Sequence, residues 1–149
     1  MQSIPSGSTV VVPSPNGAAL SLSTGALTTF TACLRNCRSV AARAREHGSR
    51  ISVIPAGERW IDGSLRPAVE DLIGAGAVLS ALPGRLSPEA EVAVAAFEHF
   101  RRNLPDALLR CSSGKELIER GLARDVELAA EYAVSAAAPI LRNDRFIHP

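Results

Sequence analysis

The first 34 residues carry no charged side chain, and their apolar positions fall in short runs; the first charge is Arg35. "STVVVP" (Ser8–Pro13) reads as a short buried strand and "ALTTFTACL" (Ala26–Leu34) as a second. "SPNGAAL" between them reads as a turn, because Asn and Gly tolerate positive φ. The rhythm then turns helical in "NCRSVAARAREHG". Asn36 can cap it, Val40 and Ala44 share one face, the arginines take another, and Gly48 is a natural stop. "RISVIPAG" reads as a third strand. A strand, a crossover helix and a strand predict that the second and third strands run parallel.

Beyond this unit the pattern is mainly helical. Pro67 to Leu82 forms a helix closed by "PG". In "SPEAEVAVAAFEHFRRN", Ser87 is the cap, Pro88 takes the first helical position, and early acids complement the helix dipole. Ala93, Ala96, Phe97, Phe100 and Leu104 then form a core stripe. Ser113 and Glu116 have capping-box spacing for "GKELIERG", and Asp125 is placed to cap "VELAAEYAV". "APILRNDRFIHP" can end the chain as a strand. With no repeat or interdomain linker, residues 1–149 read as one α/β domain. Its expected fold is layered, with a mostly parallel or mixed central sheet flanked by helices and a helical C-terminal half.

Length and composition narrow this further. A chain of 149 residues that is 46% apolar can bury a sizeable core and is not disordered. Sixteen basic against fifteen acidic residues leave a formal charge of +1, which gives no reason to expect nucleic acid or a membrane surface. No segment reaches the roughly 20 apolar residues of a membrane helix. The start lacks the basic region of a signal peptide. Three cysteines, Cys33, Cys37 and Cys111, fit a reduced, cytoplasmic setting. The uncharged 34 residues are either central strands or are covered by flanking helices, by another subunit or by a part of the protein absent from this chain. Self-association as a homodimer is the economical cover.

Ligands in open parallel sheets sit beyond the carboxyl ends of strands. The loops "SPNGAA", "CLRNCR" and "PAGERWIDGSLRP" qualify, and the third leads to Glu70 and Asp71. At a helix mouth these two carboxylates can converge on Mg²⁺, which takes hard oxygen ligands and keeps waters and phosphate oxygens in its shell. They can equally do no more than offset the helix dipole, and on the residues alone that is the more economical reading. Gly57 and Gly63 permit an unusual backbone path. Glu58 and Arg59 are either an acid/base with an anion clamp or a solvated pair. Trp60 either stacks on a ligand or packs on its own domain. Asn16-Gly17 is a turn whose N–H groups can hold an oxyanion. Cys37 reads as a small buried hydrophobe before a nucleophile. "SSGKEL" lacks the spaced first glycine of a P-loop. His47, His99 and His148 have no ligand-like spacing.

Taken together, "NGAA", "LRNCRSVA" and "AGERWIDGSLRPAVEDLIGAG" resemble the 2-phosphosulfolactate phosphatase family, as do the later "SSGKELIERG" and "ARDVE". The resemblance spans nearly the whole chain, and Glu70-Asp71-Ala75-Gly76 is its most specific element. It implies a Mg²⁺-dependent hydrolase that converts 2-phosphosulfolactate to sulfolactate and phosphate in coenzyme M biosynthesis. It further implies Glu70 and Asp71 as metal ligands, catalysis by Glu58 with that pair, and a site lined by Asn16, Gly17, Asn36 and Gly57. Arg59 or Arg66 is expected to hold the second anionic group of a small acidic phosphoester. Family members are longer and carry an N-terminal segment without a counterpart here. Ser14, Pro15 and Ala18 stand where the family prefers threonines. A non-catalytic binding or assembly module that keeps the fold is the alternative.

Overall fold

The computed structural model describes residues 4–5, 7–12 and 14–148. Its centre is a pair of helices. α3 (Val69–Leu79) buries Ile73, Ala75, Ala77 and Val78 against α4 (Pro88–Phe100), which buries Ala93 and Phe97. The two backbones approach at Gly76: a Cβ there would stand 2.0 Å from the Ala93 carbonyl oxygen and 2.8 Å from Phe97 Cβ, so only glycine fits. Ser87 caps α4 as its sequence predicts, its hydroxyl accepting from the Ala90 N–H at 3.3 Å.

α1 (Pro15–Leu22) lies where a turn was expected; proline near its first position presets helical φ. α2 (Cys37–Arg45) packs Cys37 and Ala41 into the core beside Leu34. A short 3₁₀ turn (Arg101–Asn103) joins α4 to α5 (Leu104–Arg110), and α6 (Ser112–Glu119) and α7 (Ala123–Ala129) follow. Of these helices, α2 packs on α3, and α5 to α7 pack on one another. Leu104, Leu108, Val126 and Ala130 extend the same core. The Asp125 cap is corrected: Leu122 holds the cap position of α7, and Asp125 lies in its first turn.

The parallel or mixed central sheet is not present among the described residues. The strands form two separate antiparallel pairs, β1 (Glu58–Arg59) with β2 (Leu65–Arg66) and β3 (Ile140–Arg142) with β4 (Arg145–Ile147). The reason lies in the hydrogen bonds of the expected second strand. The Thr31 N–H donates to Pro139, and the Thr29 carbonyl accepts from Leu141. Phe30 bridges Ile140 in antiparallel sense, so this stretch pairs with the C-terminal segment and not with "RISVIPAG". A backbone edge can be paired only once. Among the described residues, no backbone hydrogen bond ties residues 51–56 or 9–12 to another segment. The first expected strand is therefore unpaired over Ser8–Val12, and its end at Pro13 lies outside the described residues. The expected C-terminal strand is a hairpin instead. Asn143 and Asp144 adopt φ of 48° and 58°, the left-handed pair that a two-residue hairpin turn requires.

Candidate active site

The hairpin β1–β2 and the first turn of α3 place the candidate residues. Gly57 precedes β1 with φ of 68°, and a Cβ there would press on Leu65 at 2.8 Å. That backbone path turns the Gly57 N–H onto Asp71 Oδ2, at 2.7 Å. Glu58 then stands opposite Arg66 in the ladder. From the first turn of α1, Asn16 Nδ2 donates to Glu58 Oε1 at 2.6 Å, so two of the loops singled out by the sequence meet here. Gly17 follows Asn16 in that turn, half-buried.

The electrostatics tie the carboxylates together. Burial raises the Asp71 pKa, against the lowering effect of the Gly57 N–H, and the nearby charges of Glu70 and Glu58 raise it further. The Asn16 amide holds the Glu58 pKa below the ordinary Glu range, helped by the Arg59 N–H and the charge of Arg66. These contacts favour the carboxylate form of Glu58. Asp71 sits in a like-charge setting that a cation relieves.

Arg66 and Arg59 are separated in role. Arg59 is exposed, and its Nη1 donates to the Gly63 carbonyl at 2.8 Å, within its own hairpin. Arg66 turns inward. Its Nη1 and Nη2 reach Glu116 Oε1 and Oε2 at 2.5 and 3.2 Å, and Nη2 reaches Ser113 Oγ at 3.4 Å. Its guanidinium lies over the Trp60 ring, 5.4 Å from the centroid. This corrects the capping-box reading of Ser113 and Glu116. The N-cap of α6 is Cys111, whose Sγ accepts from the Gly114 N–H at 3.3 Å, leaving Ser113 and Glu116 to Arg66. The S-x-x-E spacing concealed their long-range partner.

Asn36 is not brought to this cluster. Its buried Oδ1 accepts from the Cys33 N–H at 2.8 Å and its Nδ2 donates to the Thr31 carbonyl at 3.4 Å, so it braces the loop before α2. Cys37 is fully buried, and that burial raises its thiol pKa, in keeping with a hydrophobe. Cys111, which the sequence did not flag, adjoins Glu70; burial chiefly raises its pKa as well. Two surface cavities, one by His99 and Arg102 and one by Ser39 and His148, include none of the clustered residues. Among the described residues, no three His, Cys, Asp or Glu side chains are arranged to hold a metal ion. A pair of carboxylates still suits Mg²⁺, whose remaining ligands are typically waters and phosphate oxygens.

The site is thus a cluster of carboxylates at a helix mouth beside one inward arginine. The profile of the 2-phosphosulpholactate phosphatase family matches residues 1–144, and the chain belongs to that family. It is 33% identical over 113 residues to a 2-phosphosulfolactate phosphatase of Methanothermobacter thermautotrophicus, covering 76% of this chain and 47% of the relative. It is 30% identical over 136 residues to a probable 2-phosphosulfolactate phosphatase of Carboxydothermus hydrogenoformans, covering 89% and 55%. A third, from Pseudothermotoga lettingae, is 25% identical over 119 residues, covering 79% and 50%. The chain thus spans about half the length of the curated relatives it matches.

Proposed function

We propose that this chain carries catalytic residues of a Mg²⁺-dependent phosphatase acting on a small acidic phosphoester, 2-phosphosulfolactate by its relatives, in coenzyme M biosynthesis in the cytoplasm. The observation that carries the proposal is the meeting of Asn16, Gly57, Glu58 and Asp71, drawn from separated stretches of sequence, beside Glu70 and Arg66. Three carboxylates, Glu58, Glu70 and Glu116, act on one guanidinium, and Asp71 lies beside Glu58 and Glu70. A phosphoester dianion is repelled from such a surface unless a divalent cation accompanies it.

Glu70 and Asp71 hold the ion, with Asp71 fixed by the Gly57 N–H. A Mg²⁺ ion held by these two residues would supply neutralisation of phosphate charge and a polarised water. Glu58, kept ionised and aimed by Asn16, takes the proton from the attacking water. Arg66, or Arg59 from the exposed strand, clamps the substrate's second anionic group. Gly17 lines the substrate side, and Asn36, which braces the loop before α2, takes no part. The test is phosphate release from 2-phosphosulfolactate and related phospho-acids with and without Mg²⁺; folded protein with no metal-dependent turnover on any of them sinks the enzymatic reading.

The second reading is a non-catalytic binding or assembly module that keeps the fold. Mg²⁺ binding without turnover, in a chain that stays folded, distinguishes the two. We also propose a homodimer. Val10, Val11 and Val12 are 55%, 87% and 70% exposed, an apolar run that a second copy would cover. Among the described residues, no helix is long and apolar enough to cross a membrane.

A further inference from the structure

We infer that Glu116 is a specificity gate: it occupies, in the free protein, the seat on Arg66 that a ligand's carboxylate or sulfonate takes. The inference deepens the phosphatase reading, which gives Arg66 to the second anionic group, but the seat is testable by binding alone. Glu116 stands on the solvent side of the pair. Its side chain is 47% exposed, whereas that of Arg66 is only 12% exposed. The guanidinium is enclosed by Trp60 and Ser113, and its open side is covered by the Glu116 carboxylate in a two-pronged contact.

An anion arriving from solvent therefore meets Glu116 before it meets Arg66. A guanidinium offers five N–H donors, and Glu116 takes the paired end that best fits a two-oxygen anion. Its carboxylate stands in for that ligand group. Glu58 and Glu70 lie close enough to act on the Arg66 charge, so an approaching anion also faces their repulsion. Glu116 adds a third negative charge and a competing partner. A free inorganic anion must displace it with no other anchorage. A small molecule whose phosphate is held elsewhere in the site arrives at high effective concentration and displaces it readily. The arrangement selects ligands with two anionic groups over those with one.

Trp60 is the chain's single tryptophan and touches Arg66, so its fluorescence reports the seat directly. Sodium sulfate is titrated into wild type, Glu116→Gln, and Glu116→Gln with Arg66→Gln, at ionic strength held constant with chloride; circular dichroism confirms each fold. Glu116→Gln should bind sulfate about two- to fivefold more tightly than wild type, the scale of one partly exposed ion pair no longer given up. The double variant should show no sulfate-dependent change. Equal or weaker binding by Glu116→Gln, a response that persists in the double variant, or no response in any of the proteins overturns the gate. Tighter binding in Glu116→Gln with no phosphatase activity in wild type refutes the enzymatic reading alone. Turnover without the gain in affinity refutes the gate alone.

Discussion

The Asn16 carboxamide and the Glu58 carboxylate, 42 positions apart in sequence, meet in a hydrogen bond of 2.6 Å. That bond is the largest cause of the lowered Glu58 pKa. A carboxylate with a lowered folded pKa contributes stability above its unfolded pKa and loses it as pH falls through the folded value. Asn16→Ala should therefore move the Glu58 titration up toward the ordinary Glu range, and with it the acid limb of any activity that needs ionised Glu58. Carboxyl-carbon NMR titration measures the shift; an unchanged Glu58 midpoint would falsify the assignment of this bond as the cause.

The two neighbouring acids of α3 should behave differently when removed. Asp71→Ala leaves the Gly57 N–H without its partner and should cost about 1 kcal/mol. Glu70→Ala should stay within about 0.5 kcal/mol, as for a surface change. Both should weaken Mg²⁺ binding roughly tenfold or more, at least what loss of an outer-shell partner costs. Urea unfolding and isothermal titration read the two effects separately. Equal Mg²⁺ affinity in wild type and both variants returns the pair to the role of helix-start acids.

Within the same helix, two glycine substitutions should have opposite signs. A Cβ at Gly76 meets the Ala93 carbonyl at 2.0 Å, backbone that cannot give way without moving α4, so Gly76→Ala should destabilise by about 1–3 kcal/mol or more. Gly74 has nothing within 4 Å of its would-be Cβ, so Gly74→Ala should stabilise by about 0.5–1 kcal/mol. Thermal unfolding of the two variants decides it, and a shift of the same sign in both would contradict the close approach of α3 and α4.

Self-association should depend on the exposed valines. If a second copy covers them, wild type sediments as a dimer and the Val11→Lys, Val12→Lys double variant as a 15.7 kDa monomer. Sedimentation velocity at micromolar concentration makes the comparison. A wild-type monomer would show that the uncharged N-terminal stretch needs no second copy.

The sequence by itself determined what depends on near neighbours. The Pro88–Phe100 helix, its Ser87 cap and its buried Ala93 and Phe97 were all legible, because helical period and capping act within a few residues. So was the gathering of acids about the "PAGERWIDGSLRPAVED" loop, since chain continuity alone keeps Glu58 near α3. Only the tertiary structure decided the pairing of strands. Apolar runs say that a segment is extended and half-buried, but not which edge it meets. Thr29 and Thr31 found Leu141 and Pro139, more than a hundred positions on, and not the expected parallel neighbour. The same holds for side chains with two possible partners. Local spacing made Glu116 a cap for its own helix, yet the inward guanidinium of Arg66 claimed it, because an ion pair beside other charges outweighs one local hydrogen bond that the Cys111 sulfur could supply instead.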